Sequence, residues 1–155
     1  MIRVLFVCLG NICRSPMAES VFLQLVREAG LQNQIEVDSA GTGDWHIGQR
    51  PHHGTLEILR QNGVAEGSRA RQIRADDLRN FEWILVMDKK NLRGVQELGK
   101  SCANVHLLLE FAPQFGHAEI PDPYFTGDFA LTYRLVRAAC EGLLAKIIQA
   151  NDLAQ

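Results

Sequence analysis

The residues with the most chemistry in them lie in one short stretch, Cys8-Leu9-Gly10-Asn11-Ile12-Cys13-Arg14-Ser15-Pro16. A cysteine, an arginine after five intervening residues and a hydroxyl beside it are the parts of an oxyanion site with a nucleophile at its centre. Successive backbone N–H groups in a tight loop can turn inward as a nest, and the end of a following helix adds roughly half a positive charge. Arg14 adds a planar fork of donors matched to a tetrahedral oxyanion. Gly10 and Asn11 are residue types that tolerate the left-handed backbone angles such a loop requires. The same field acts on Cys8. A free thiol titrates near ~8.5, and helix ends or a neighbouring arginine lower it to about 3.5–7.5, so a thiolate is expected, with Ser15 placed to hydrogen-bond it. A thiolate inside an anion cradle attacks the anion's central atom, most simply phosphorus. Two other phosphate loops do not fit. The Walker pattern needs Gly-Lys-Ser/Thr where this chain has Arg14-Ser15, and no G-x-G-x-x-G follows the first apolar run.

These residues need a rigid platform, and the flanking sequence supplies one. Ile2 to Cys8 is a continuous apolar run, the pattern of a strand buried on both faces of a parallel sheet. Ser15-Pro16 reads as a helix start, with the hydroxyl as N-cap and proline at the first helical position. Met17, Val21 and Leu25 then line an apolar face up to Gly30. Further strands are expected at Ile35–Ala40, Trp83–Met87 and Val105–Leu109, with helices at His53–Asn62 and Lys89–Leu98. The stretch from Ala112 to Gly127 reads as a long loop, and the remainder as one long helix in which Cys140 shares the apolar face with Val136, Leu143, Leu144 and Ile147. Strands alternating with helices imply a three-layer α/β domain, a parallel sheet flanked by helices, in which ligands bind beyond the carboxyl ends of the strands. The loop after the first strand is that place. No linker or repeat interrupts residues 1–155, so one domain is expected.

Composition excludes other classes. With 46% hydrophobic and 22% charged residues among 155, the chain is that of an ordinary globular protein. Sixteen basic against 18 acidic residues leave a formal charge of −2, so no global field favours nucleic acid or an anionic membrane. The early apolar run is too short to span a bilayer and unlike a secretory signal, and four sparse cysteines are not a disulfide scaffold, which together point to the cytoplasm. Cysteine spacing and the five histidines show no zinc pattern, so no metal or cofactor is expected. Arg69, Arg71, Arg74 and Arg79, interleaved with Glu66, Asp76 and Asp77, read as a solvated or structural face.

The chain resembles the low-molecular-weight protein tyrosine phosphatases. The loop Cys8–Pro16 matches that family's signature. Asp44-Trp45, Arg69-Ala70-Arg71-Gln72, Met87-Asp88 and Asp122-Pro123-Tyr124 recur in it in order, and the similarity runs from Ile2 to about Ile148. The resemblance implies a four-stranded parallel sheet with helices on both faces, and hydrolysis of phosphotyrosine in proteins through a cysteinyl phosphate. Cys8 is then the nucleophile. Arg14 and the loop amides of Leu9, Gly10, Asn11, Ile12 and Cys13 hold the phosphate, and Ser15 supports the thiolate. Asp122 protonates the leaving phenol and then activates water. Trp45 and Tyr124 are the implied aromatic flanks for a phenyl ring, Asn11 holds the loop's shape, and Cys13 can pair with Cys8 under oxidation.

Two departures and two rivals accompany the resemblance. Ser68 stands where many members carry a histidine that contributes to hydrogen bonding behind the loop, and Tyr124-Phe125 replaces a pair of tyrosines. The related protein-arginine phosphatases tend to carry a smaller threonine at the position of Ile12, so the bulky residue favours phosphotyrosine. An arsenate reductase of the same fold would need a thiol relay, whereas Cys102 and Cys140 lie far apart in sequence. A non-catalytic phosphate-binding module is disfavoured because nucleophile, arginine and acid are all present. Phosphotyrosine proteins and tetrahedral oxyanions are the expected partners. The oligomeric state is not legible.

Overall fold

Four apolar runs become four parallel strands. In the computed structural model, which describes residues 1–101 and 103–153, these are β1 (Ile2–Cys8), β2 (Ile35–Gly41), β3 (Trp83–Val86) and β4 (Asn104–Leu107), in the sheet order β2-β1-β3-β4. Cys8 is in register with Gly41 of β2, and Val7 with Val86 of β3. Parallel neighbours cannot be joined by hairpins, so helices make the crossovers. α1 (Arg14–Glu28) joins β1 to β2, α2 (His53–Gln61) and α3 (Asp77–Asn80) lie between β2 and β3, and α4 (Lys89–Gln96) joins β3 to β4, while α5 (Pro123–Thr126) and α6 (Phe129–Asn151) follow the last strand.

Side chains of β1 alternate between two apolar layers. Val4, Phe6 and Cys8 face a cluster that includes Met17 and Val21 of α1, Leu59 of α2 and Val136, Cys140 and Leu143 of α6. Leu5 and Val7 face the other, with Leu78 of α3 and Val95 of α4. Cover on both faces is why β1 carries no polar alternation. The three-layer α/β architecture with a four-stranded parallel sheet is as expected from the sequence. The chain leaves β1 toward β2 on one side and returns to β3 on the other, which opens a crevice at the carboxyl ends of β1 and β3.

Several boundaries differ from the sequence reading. α1 begins at Arg14, with Cys13 as its cap residue and no side-chain capping bond, so Ser15 is not the N-cap and Pro16 is not the first helical residue. The loop curls directly into the helix, and the serine hydroxyl is used elsewhere. Pro16 is still tolerated, because first-turn N–H groups have no helical acceptor in any case. β4 stops at Leu107 and the chain tightens into a 3-10 turn over Leu108–Phe111. The expected long loop contains a 3-10 turn (Pro113–Phe115) and α5, and α3 is too short to show a helical period. Among the described residues no helix is long and apolar enough to cross a membrane.

Candidate active site

The loop between β1 and α1 turns its carbonyls outward. Cys8 O accepts from Thr42 N–H (2.9 Å), Leu9 O from Gly43 N–H (2.9 Å), Ile12 O from His52 N–H (2.7 Å) and Cys13 O from the Thr55 hydroxyl (3.0 Å). None of the hydrogen bonds among the described residues uses a backbone N–H of Leu9 to Arg14 as donor, so these amides remain for the concave side. Asn11 makes the turn at φ 56°, whereas Gly10 is not left-handed. Gly10 serves instead as a point of close approach, because a Cβ there would lie 3.0 Å from the ring of His46. Gly41 is needed for a similar reason: a Cβ on it would meet Leu9 O at 2.8 Å.

Behind the loop, polar groups fix the direction of a hydrogen-bond chain. Asn11 Oδ1 accepts from Arg71 N–H (2.9 Å), which leaves its amide nitrogen to donate to Ser15 Oγ (2.7 Å) and Ser39 Oγ (3.0 Å). Each hydroxyl that accepts from Asn11 passes its own hydrogen onward. Ser39 donates to Glu19 (2.5 Å), and Ser15 donates to the Cys8 sulfur at 2.9 Å. Cys8 Sγ is thus an acceptor at one end of the chain, an arrangement suited to a thiolate. Glu19, buried at the other end, also takes the N–H (3.0 Å) and hydroxyl (2.8 Å) of Ser68. Ser68 therefore does reach the hydrogen bonding behind the loop, through Glu19.

Arg14 is almost fully buried. Its Nη1 donates to Asp88 (2.8 Å) and to Ile120 O (2.9 Å), and its Nη2 pairs with Asp122 at 3.3 Å. Asp88 is itself fixed, because its other oxygen caps α4 by accepting from Asn91 N–H (2.8 Å). Arg14 Nε has no partner although it is buried. A buried donor left unpaired costs free energy that a ligand oxygen would recover.

These groups meet in a cleft of about 390 Å³, with Cys8, Leu9, Gly10, Ile12, Cys13 and Asp122 lining it below and Trp45, His46, Tyr124 and Phe125 around its mouth. Trp45 is 64% exposed and folds over Gly43, where a Cβ would collide with the indole, so it both packs its loop and forms a wall. Asp122 caps α5 through Tyr124 N–H (3.1 Å), which aims its second oxygen at Arg14. Burial, and then the charges of Cys8 and Asp122, push the Cys13 thiol up to about 12, against the lowering effect of Arg14. Cys13 therefore keeps its proton at neutral pH. Burial also pushes up the thiol of Cys140 in the α6 core, and Cys102 lies outside the described residues.

Most candidates from the sequence line this cleft, and the others stand one contact behind it: Ser15 on Cys8, Asn11 on Ser15 and Arg14 on Asp122. Sequence reasoning missed the roles of Asp88, Glu19, His46 and the Ile120 carbonyl. Asp88 follows β3 at the carboxyl edge of the sheet, which was a usable signal. Glu19 lies one turn after Ser15 on an otherwise apolar helix face, another usable signal. A backbone carbonyl contributed from the far end of the chain leaves none. The basic run is structural where the structure engages it: Arg69 donates to Gly48 O, Arg79 pairs with Asp76, and Arg71 pairs with Asp38 and Asp77.

Comparison with known proteins places the site in a family context. Residues 3–153 match the family model described as low molecular weight phosphotyrosine protein phosphatase. The chain is 46% identical to the low molecular weight protein-tyrosine-phosphatase YfkJ of Bacillus subtilis, over 99% of this chain and 100% of that one. The crystal structure of YfkJ superposes with a TM-score of 0.94 over 99% of this chain and 98% of the other. The crystal structure of a Drosophila arginine phosphatase, 33% identical, superposes with a TM-score of 0.88 over 94% of this chain and 98% of that one.

Proposed function

The chain belongs to the low molecular weight phosphotyrosine protein phosphatase family, and from that premise we propose that it hydrolyses phosphotyrosine in proteins, and small aryl phosphates, with Cys8 as the nucleophile. The observation that carries the assignment is the unpartnered, buried Nε of Arg14 beside a loop whose amides are free and whose cysteine accepts a hydrogen bond.

The phosphate oxygens lie against the amides of Leu9 to Arg14 and the free edge of the Arg14 fork. Cys8 Sγ attacks phosphorus in line, forming an S–P bond as the P–O bond to the tyrosine oxygen breaks. Asp122 delivers its proton to that oxygen, so the leaving group departs as a phenol rather than as a phenolate. Water then attacks the phosphocysteine while the Asp122 carboxylate takes its proton. Inorganic phosphate leaves and the thiolate returns, again accepting from Ser15. Pre-aimed donors around the equatorial oxygens stabilise both transition states without reorganisation. Trp45 and Tyr124 flank the phenyl ring at the mouth, and Ile12 narrows the cleft beside it.

Cys13 adds protection. Peroxide converts the Cys8 thiolate to a sulfenic acid, and attack by the Cys13 sulfur expels water to leave a Cys8–Cys13 disulfide that thiols reopen. Peroxide inactivation should then be reversed by thiol in the wild type and not in Cys13→Ser. Three free cysteines among the described residues suit a reducing compartment, which supports a cytoplasmic setting.

The test is steady-state hydrolysis of a phosphotyrosine peptide with chelator present, for the wild type and Cys8→Ser in parallel. Turnover in the wild type alone supports the proposal. Faster turnover of phosphoarginine would replace the substrate reading, and thiol-dependent arsenate reduction without hydrolysis would replace the reaction.

A further inference from the structure

The segment that carries Asp122 is tied down at both ends, and both ties lead to the phosphate-binding loop. At its start, buried Ile120 donates its N–H to Met87 O (2.9 Å) and gives its carbonyl to Arg14 (2.9 Å). At its end stands Phe129, the first residue of α6, whose helix is capped by Asp128 through Leu131 N–H (3.0 Å). The Phe129 ring stacks on His52, with centroids 5.1 Å apart and planes 18° from parallel. It also lies so close to α2 that a Cβ on Gly54 would be 2.5 Å from Cε2 and Cζ. The same ring packs against Ile12, Cys13 and Ala70. His52 is anchored in turn: its N–H donates to Ile12 O (2.7 Å), and its Nδ1 accepts from Gly54 N–H (3.0 Å).

We infer that Phe129 is a positioning residue for the proton donor. The slot formed by the His52 ring and the bare backbone of Gly54 holds the phenyl ring against the phosphate loop, and through it holds Asp122 at a set distance from Cys8. This rests on the reading of Asp122 as the donor. The contacts of Asp122 itself are not enough to do this. One is a turn bond to Tyr124 within its own segment, and the other is the 3.3 Å pair with Arg14, a group shared with the bound oxyanion. Between the two ends Pro123 is buried and the Tyr124 ring meets His52 edge to face at 6.0 Å, but Tyr124 and Phe125 are 54% and 75% exposed, so the Phe129 anchor is the tie that joins this segment to both His52 and the phosphate loop. A misplacement of about 1 Å can cost on the order of 100-fold in rate, and a general acid contributes roughly 10²–10⁴-fold in all.

The test compares leaving groups. A phosphotyrosine peptide releases a phenol with a pKa of about 10 and needs the proton, whereas 2,4-dinitrophenyl phosphate releases a phenolate that leaves without one. Phe129→Ala is expected to lower kcat/KM on the peptide by about tenfold or more, and on the dinitrophenyl ester by less than about twofold. Phe129→Leu should restore most of the loss. Gly54→Ala should reproduce the pattern with every atom of Phe129 present. In an Asp122→Asn background, Phe129→Ala should add little. Equal losses on both esters, or losses that add fully to those of Asp122→Asn, would overturn the proposal and leave the ring a purely structural role. If Phe129→Ala shows no cooperative thermal unfolding, Gly54→Ala and Phe129→Leu decide by the same criteria. If Asp122→Asn alone treats the two esters alike, the donor assignment has failed and this inference falls with it. That outcome is recognised without any Phe129 variant.

Discussion

Two arginines in this molecule are each gripped by a pair of aspartates. Arg14 meets Asp88 at 2.8 Å and Asp122 at 3.3 Å, and Arg71 meets Asp38 and Asp77, both at 3.0 Å. The pairings look alike, but the donors are spent differently. Arg71 uses all three nitrogens on protein oxygens: Nε on Asp38, Nη1 on Asp77, and Nη2 on the second oxygen of Asp77 and on Asp38. It clamps β2 to the segment leading into α3. Arg14 keeps Nε back, buried and unmatched, while its Nη2 meets Asp122 of the cleft lining. Acidic partners therefore do not tell the two arginines apart, whereas the unused donor of Arg14 does. The aspartates of Arg14 aim the fork, and those of Arg71 consume it.

The largest effect should come from swapping each arginine for lysine, which keeps the charge and removes the fork. Arg14→Lys is expected to lower kcat on a phosphotyrosine peptide by on the order of 100- to 1000-fold, with little change in thermal midpoint. Arg71→Lys should leave kcat within about threefold while costing about 1–2 kcal/mol of stability, or about 3–6 °C. Steady-state kinetics beside thermal unfolding of both variants would check this, and a kinetic loss of similar size at both positions would erase the distinction.

Replacing the aspartates sharpens the comparison. Asp88→Asn can still cap α4, because asparagine is as good a cap as aspartate, but it no longer neutralises Arg14. We expect kcat/KM to fall by about tenfold with stability nearly unchanged. Asp77→Asn should do the reverse. It weakens the two-pronged contact with Arg71 and the 2.7 Å bond from Arg74 N–H, so the protein should lose about 1 kcal/mol with normal kinetics. Urea titrations with matched slopes, paired with peptide kinetics, separate the two outcomes.

The contrast between the arginines also shows what the sequence could and could not reveal. The strand, the loop and the helix after it were legible, because a doubly buried strand has a distinctive apolar run and because cysteine, arginine and serine at that spacing have few bland uses. The role proposed for Arg14 could be read from the loop, but what aims it could not. Asp88 sits 74 residues away in sequence, and Ile120 contributes only a carbonyl. The N-cap assignment of Ser15 failed because a serine before a proline carries the same local signal whether it caps a helix or sits inside its first turn. Gly10 was given a conformational reason when its actual one is the closeness of His46, which depends on a loop more than thirty residues on. Local rules thus carried as far as β1, the loop and α1 extend. They lapsed where segments distant in the chain share an atom.

The two regions should also differ, more weakly, in their response to acid. The Arg71 clamp is built without a histidine, the side chain whose charge changes in the physiological range. His46 stands at the mouth of the cleft, and His52 and His53 at the start of α2 lie behind Tyr124; His52 is the one the fold needs neutral, because its Nδ1 accepts from Gly54 N–H. Burial first, then His53 and His46, hold the His52 pKa below its ordinary 6.5. The sign follows from which state binds the proton first. Above pH 6.5 both the folded and unfolded chains carry a neutral imidazole, and the group contributes no pH dependence. As pH falls through 6.5 the unfolded chain takes the proton while the folded one resists, so stability falls until the lowered folded pKa is passed. His52→Asn retains a capping oxygen and cannot titrate. Between pH 7.5 and 5.5 the thermal midpoint of the wild type should fall by about 1–2 °C more than that of His52→Asn. Arg71→Lys should keep the wild-type slope from a lower starting point. Parallel slopes for wild type and His52→Asn would remove His52 from the account of acid sensitivity and assign whatever slope remains to groups outside the cap.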